Sequence, residues 1–228
     1  MRLGVRQNII MVRPMKLFDN AVLVGCDVKH EWMMKWWFDN YKKYNNLPVI
    51  FADFGLSPDG LVFAKSQSKH VISLTNIQEK GWFKKPKAML ACPSKRTLWV
   101  DMDAEVKGSL KEVFKMLEPN KLAMVEDHPW KKRRGELWHN SGVVGFIDKP
   151  QILKDWARQV EAKPIIGDQE VLHGMLNPIT KIRYIKDLPH RFNVLRIDVD
   201  DNNVPKDPVI MHWTGSKGKD IIRSQMDA

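Results

Sequence analysis

The chain has 228 residues, 43% of them hydrophobic, a net charge of +10 and only two cysteines, Cys26 and Cys92. That length supports one substantial core, while the cysteine count excludes a disulfide framework and a CxxC metal motif, and no run approaches the roughly 18 apolar residues of a transmembrane helix. The positive charge favours a polyanionic partner, whether nucleic acid, an anionic membrane surface or a phosphorylated substrate, and does not choose among them.

No repeat, biased segment or Ser/Gly-rich linker divides the chain, so one domain over 1–228 is expected, with 1–18 as an N-terminal extension. The first twenty residues hold only a very short apolar run interrupted by Arg and Pro, a poor signal peptide. A reducing, cytoplasmic setting is the expectation. The first strand is predicted over Asn20–Asp27, followed by a helical pattern over Lys29–Tyr44 in which Trp32, Trp36 and Tyr41 share a face beside Trp37 and read as core. Strands are predicted over Leu47–Gly55 and His70–Leu74. A helix is predicted over Trp82–Cys92, started or broken near Pro86.

Thr97–Asp101 reads as a buried strand, and Ser109–Leu117 as an amphipathic helix with Ser109 as N-cap. Lys121–Asp127 and Trp138–Ile147 read as strands on either side of a basic, Trp-containing loop. Helices over Pro150–Glu161 and Gly167–Leu176 follow, and a last strand lies within Val209–Trp213. This alternation predicts an α/β fold with a mostly parallel central sheet flanked by helices. Ligands of such sheets sit beyond the carboxyl ends of strands, where Asp27, Asp101 and Asp103 fall.

The stretch "TLWVDMDAEVKGSL" runs an apolar strand straight into two carboxylates, Asp101 and Asp103. An unpaired carboxylate at the end of a buried strand costs several kcal/mol, and metal coordination or solvation removes that cost. A phosphatase-type nucleophile also follows a strand as Asp-x-Asp. That chemistry usually has Gly-Thr next, whereas Ala104 and Glu105 follow here, and "GDQEVL" offers no second Asp at the right spacing.

The segment "RTLWVDMDAEVKGSLKEVFKML" resembles the central block of family-8-like GT-A nucleotide-sugar glycosyltransferases, a Rossmann-like fold. Four further segments match in order: "HNSGVVGFI", "GDQEVL", "LPHRFNVL" and "HWTGSKGK". The resemblance implies a single GT-A domain, with a nucleotide-sugar half over 19–118 and an acceptor half over 119–228 that ends in a metal- and diphosphate-binding element. It implies that Asp101, Asp103 and His212 hold Mn²⁺ or Mg²⁺, a donor set that suits Mn²⁺. It places Cys26, Asp27, Met102 and Gly215 at the donor, and one of Lys84, Lys85 and Lys87 at its phosphates or sugar, with Lys84 and Lys87 carried forward. The family's last lysine falls on Gly218, so Lys217 or Lys219 takes its place.

The implied reaction moves a hexose from a UDP-sugar to an acceptor hydroxyl, with retention. Gln169 matches the residue facing the reacting centre, with Asp168 and Asn140 beside it; Asp168 is equally well read as a helix cap. An inverting enzyme would need a general base, for which Asp127, Glu126 and Asp168 are candidates. On the acceptor side, Trp130, Lys131, Lys132, Arg133, Arg134 and Trp138 form a basic, aromatic cluster. Cations bind phosphates and tryptophan stacks on exposed bases, so hydroxymethylated pyrimidines in DNA, as in phage DNA modification in a host cytoplasm, are the leading acceptor. A lipopolysaccharide, glycolipid or saccharide acceptor is the alternative, with peripheral membrane contact. A non-catalytic nucleic-acid-binding module with structural acids is the competing class.

Overall fold

The computed structural model describes residues 17–76, 80–162 and 167–227; most of the predicted N-terminal extension, 1–16, lies outside them. Strand β1 (Phe18–Cys26) ends in six consecutive buried residues, the mark of a strand covered on both faces. Helix α1 (Met34–Tyr44) follows a short 3₁₀ turn and buries Trp36, Trp37, Phe38 and Tyr41, with the Trp37 and Tyr41 rings stacked at 5.2 Å. After β2 (Val49–Asp53) comes a helix the sequence pattern did not suggest, α2 (Pro58–Gln67). Its start is chemically marked: Ser57 Oγ accepts from the Gly60 N–H, and Pro58 occupies the first turn.

Strand β3 (His70–Ser73) leads to α3 (Gly81–Ala91), which runs through Pro86 rather than starting or breaking there. Strand β4 (Ser94–Val100) is followed by the short β5 (Ala104–Val106). The helix predicted over Ser109–Leu117 contracts to one turn, α4 (Val113–Met116), and Ser109 does not cap it. The cause is a long-range bond: Asn45 accepts from Leu110 N–H and donates to the Gly108 carbonyl, holding 108–110 as a loop.

Strand β6 (Leu122–Glu126) precedes a further departure, because the basic "loop" contains α5 (His128–Arg134). Asp127 caps it by accepting from Trp130 N–H, Pro129 sits in its first turn, and Gly135 ends it at φ +70°. Strand β7 (His139–Ile147), α6 (Gln151–Ala162) and α7 (Asp168–Gly174) follow as expected in type. The remaining elements are α8 (Pro178–Tyr184), β8 (Ile185–Asp187), β9 (Val194–Leu195), α9 (Arg196–Asp200), β10 (Ile210–His212) and α10 (Gly215–Met226).

The main sheet has the order β3-β2-β1-β4-β7-β6-β8. Only β7 runs antiparallel to its neighbours, β4 and β6, so the sheet is mostly parallel. Alternate strand residues face the two covering layers: Val22, Val24 and Leu98 point into a cluster with α1, whereas Leu23 and Trp99 point into one with α3 and α6. A second sheet, β5-β10-β9, crosses the carboxyl end of β4. Among the described residues no helix is long and apolar enough to cross a membrane.

Trp156 on α6 is fully buried, and its indole N–H donates to the Asp168 carbonyl at 2.8 Å. Trp156→Ala is expected to lower folding stability by about 3–5 kcal/mol, measured by urea denaturation.

Candidate metal and nucleotide-sugar site

Parallel pairing of β1 with β4 brings Cys26 and Val100 to the same carboxyl edge of the sheet, so Asp27 and Asp101 both open into one cleft. The cleft there is lined by Cys26, Asp27, His30, Phe54, Trp82 and Trp99, and by Lys85, Asp101, Met102, Asp103 and Lys219. The second sheet closes it. His212 pairs with Ala104 across β10 and β5, and Trp213 N–H donates to the Asp103 carbonyl. A histidine more than a hundred residues downstream is thereby set over the acid pair.

One ligand atom each from Asp101, Asp103 and His212 lie within 4.8 Å of one another. His212 Nε2 is 3.2 Å from Asp103 Oδ1 and 3.7 Å from Asp101 Oδ2. Trp99 Nε1–H donates to the other oxygen of Asp101, Oδ1, at 2.6 Å, and Lys85 Nζ lies between the two oxygens, 3.2 Å from Oδ1 and 3.3 Å from Oδ2. Oδ2 is the oxygen turned toward the histidine.

The setting of the His212 ring follows from a chain of bonds that begins at the backbone. Gly142 N–H can only donate, so the atom it meets at 2.9 Å is Asn140 Oδ1. The Asn193 atom that also meets Asn140 Oδ1 is therefore its Nδ2, leaving Asn193 Oδ1 to accept from His212 Nδ1 at 3.0 Å. Nδ1 therefore donates to Asn193, and Nε2 is the ring nitrogen turned to the carboxylates. Two carboxylates and such an imidazole fit a divalent ion that takes O and N donors, with the far ring nitrogen anchored as metal-bound histidines usually are. Space is tight behind the ring: a Cβ at Gly142 would stand 2.1 Å from His212 Cε1.

Cations balance the acids. Lys85 is buried and reaches Asp101, Asp168 Oδ2 at 3.2 Å, and both the carbonyl and hydroxyl oxygens of Ser141. Burial pulls its ammonium pKa down, but Asp101 and Asp168 more than offset this and raise it. Lys219 pairs with Asp103 Oδ2. Burial pushes the Asp103 carboxyl up, yet His212 and Lys219 together hold it well below the usual carboxylate range. Asp101 lies on the other side of that balance: burial raises it, and Lys85 and His212 recover only part of the rise.

A second network lies beside the acids. Gln169 accepts from Ser141 N–H at 3.1 Å and donates to Asp127 Oδ2 at 3.2 Å, and Asn140 Nδ2 donates to that same oxygen at 3.3 Å. Asp168 is the first residue of α7, makes no side-chain cap and faces Lys85 instead.

Among the three α3 lysines, Lys85 is the one that enters the cleft. Lys84 donates to the Phe54 carbonyl behind it, and Lys87 pairs with Glu161 on α6. Lys217 is exposed, and Lys219 reaches the acids. Gly218 explains the shift of one position: its Cβ would lie 2.0 Å from the Trp213 carbonyl oxygen, so no lysine fits there. Gly215 opens α10 at φ +74°, away from the lining residues. Asp27 bonds His30 Nδ1 at 2.7 Å at the far end of the cleft. Sequence reasoning missed Trp99, Ser141 and Asn193 as parts of the site, although each lies inside a segment it had singled out.

The cluster ahead of β7 is largely tied up. Trp138 is buried between Trp130 (4.3 Å) and His173 (3.7 Å). Lys131 pairs with Glu126, Lys132 with Asp201, and Arg134 lies over the Trp130 ring.

No protein-family model matches the sequence, and no curated protein matches it. Solved structures do match. An active-site mutant of LgtC superposes with TM-score 0.66 at 13% identity, covering 91% of this chain and 95% of LgtC. The galactosyltransferase LgtC with donor and acceptor sugar analogs gives 0.63 at 14%, covering 90% and 95%. The fold is GT-A. The glycosyltransferase GlyE of Streptococcus pneumoniae TIGR4 gives 0.64 at 16% identity, with 87% of this chain matching 56% of GlyE. The GT-A architecture expected from the ordered motifs is thus the observed one.

Removing the anchor of His212 should loosen metal binding without touching a ligand. Asn193→Ala is expected to weaken Mn²⁺ affinity by about 10–100-fold, read by calorimetric titration of the metal; unchanged affinity would contradict the hydrogen-bond assignment.

Proposed function

We propose that this protein is a glycosyltransferase that moves a hexose from a UDP-sugar to an acceptor hydroxyl, with retention at the anomeric carbon. The observation that carries the reading is the convergence of Asp101, Asp103 and His212 with Lys85 and Lys219 in one cleft at the carboxyl edge of a GT-A sheet. A divalent ion bound by the two aspartates and His212 would supply Lewis-acid stabilisation to the departing diphosphate. Lys219 adds a fixed positive charge where that negative charge develops. Lys85, held between Asp101 and Asp168, orients both carboxylates and places a positive charge between them. Gln169 is fixed beside the site by Ser141 N–H and Asp127, and the preference for retention rests on its match to the residue that faces the reacting centre in the resembling family.

Two classes of acceptor are in play. Hydroxymethylated DNA is supported by the +10 charge and the four consecutive cations of α5, but the packing of Trp130 and Trp138 against each other leaves the buried Trp138 ring no open face on which a base could stack. A glycolipid or lipid-linked saccharide is favoured by one specific observation, the nearly full exposure of Ile179 and Ile182 on α8. We place it first.

The reading is tested by UDP release from a panel of UDP-sugars with Mn²⁺, run with saccharide, glycolipid and hydroxymethylated-DNA acceptors. Acceptor-stimulated release that falls at least about 100-fold in Asp103→Ala is expected. No release with any donor, or full release in the variant, would sink the proposal.

A further inference from the structure

Helix α8 is an anomaly in this fold, because none of its seven residues is buried. Ile179 and Ile182 are 79% and 78% exposed, and three residues apart they lie on one helix face. Leu137, at the end of the α5–β7 connection, is 40% exposed and lines the same surface pocket as Ile182, Leu176 and Pro178. Contiguous exposed aliphatic side chains of this kind mark an interaction surface.

The patch is held rigidly outward. Asn177 and Thr180 form a reciprocal capping box at the start of α8. Lys181 Nζ donates to the Leu137 carbonyl and ties α8 to the α5–β7 connection. Beneath that connection the Trp130–Trp138–His173 stack fills the gap between α5 and α7. The isoleucines are therefore part of a braced face.

Exposed cations accompany this face: Arg183 on α8 itself, and Arg133 and Arg134 on α5, where Arg134 lies over the Trp130 ring that packs on Trp138 next to Leu137. The acids at its border, Glu136 and Asp187, are engaged by Trp138 Nε1–H and His139 respectively, while Glu126 and Asp201 offset Lys131 and Lys132. Aliphatic side chains accompanied by exposed arginines match the interfacial region of an anionic bilayer, where apolar burial and headgroup attraction act together. A nucleic acid backbone would engage the cations and leave the isoleucines in water.

We propose that the face formed by α8, Leu137 and α5 docks on an anionic phospholipid membrane. Its position beside the site gives the docking a purpose. Asp127, which caps α5, also bonds Gln169 and Asn140, so the face borders the presumed acceptor side. A sugar displayed by a membrane lipid would arrive there. The docking deepens the glycolipid reading above and rests on it only for the identity of the acceptor.

The test uses the whole chain, without donor, in sedimentation with phosphatidylcholine vesicles and with phosphatidylcholine/phosphatidylglycerol vesicles, so that docking is read separately from transfer. Binding to the anionic vesicles alone is expected. The double variant Ile179→Ser/Ile182→Ser should weaken it roughly tenfold or more, with circular dichroism and vesicle-free UDP release unchanged. Arg133→Ala/Arg134→Ala should weaken it and flatten its salt dependence. Absence of binding to anionic vesicles overturns the proposal. So does binding indifferent to the isoleucine changes, which would mark general polyanion attraction such as DNA gives. A shift from dimer to monomer in the isoleucine variant, without vesicle binding, would assign the face to a second copy of the chain and overturn it equally.

Discussion

Two carboxylates and an imidazole crowded at the end of a buried strand are the constraint around which this protein is arranged. Asp101 and Asp103 repel each other, and their partial burial withdraws much of the water that would otherwise solvate them. The fold meets that cost with fixed donors and cations: Trp99 on one oxygen of Asp101, Lys85 between Asp101 and Asp168, and Lys219 on Asp103. Removing one partner from such a set typically costs about 3–5 kcal/mol because a buried charge is left uncompensated. A site that expensive to assemble is more readily understood as a place for a divalent cation than as a structural device.

The topology exists to hold that arrangement from several directions at once. Parallel pairing delivers the acid-bearing ends of β1 and β4; the antiparallel β7 returns along β4 and brings Asn140 and Ser141 beside them. The small β5-β10-β9 sheet then carries His212 across the top. The two asparagines connect these parts. Asn140 and Asn193, from different elements, transmit a donor–acceptor order that starts at a backbone N–H and ends at His212 Nδ1, fixing the setting of the ring. No part of that chain is adjustable without disturbing the next.

Much of this was legible in the sequence because it is written locally. The strand running into Asp101 and Asp103, the β-branched runs of the sheet, and the ordered motifs that resemble GT-A transferases all sit within short windows. What was not legible depends on phase or distance. Choosing among Lys84, Lys85 and Lys87 requires the rotational setting of α3, since each step turns about 100° around the helix; packing on the sheet turned Lys85 inward. Choosing Lys219 over Lys217 required the contact between Gly218 and the Trp213 carbonyl. Asn193 meets Asn140 across 53 residues, a proximity that no local pattern encodes. The short helices α2, α5 and α8 were overlooked for another reason. Each announces itself by a cap and a first-turn proline rather than by an apolar stripe, so apolar periodicity does not reveal it.

We propose that the acid pair binds a nucleoside diphosphate through a divalent ion and not directly. The most direct measurement is calorimetric titration of UDP into the metal-stripped protein with and without Mn²⁺. The account predicts that UDP binding depends on the metal and that Asp103→Ala abolishes the metal-dependent part. Equal affinity with and without Mn²⁺, or a metal response that survives in the variant, would contradict it.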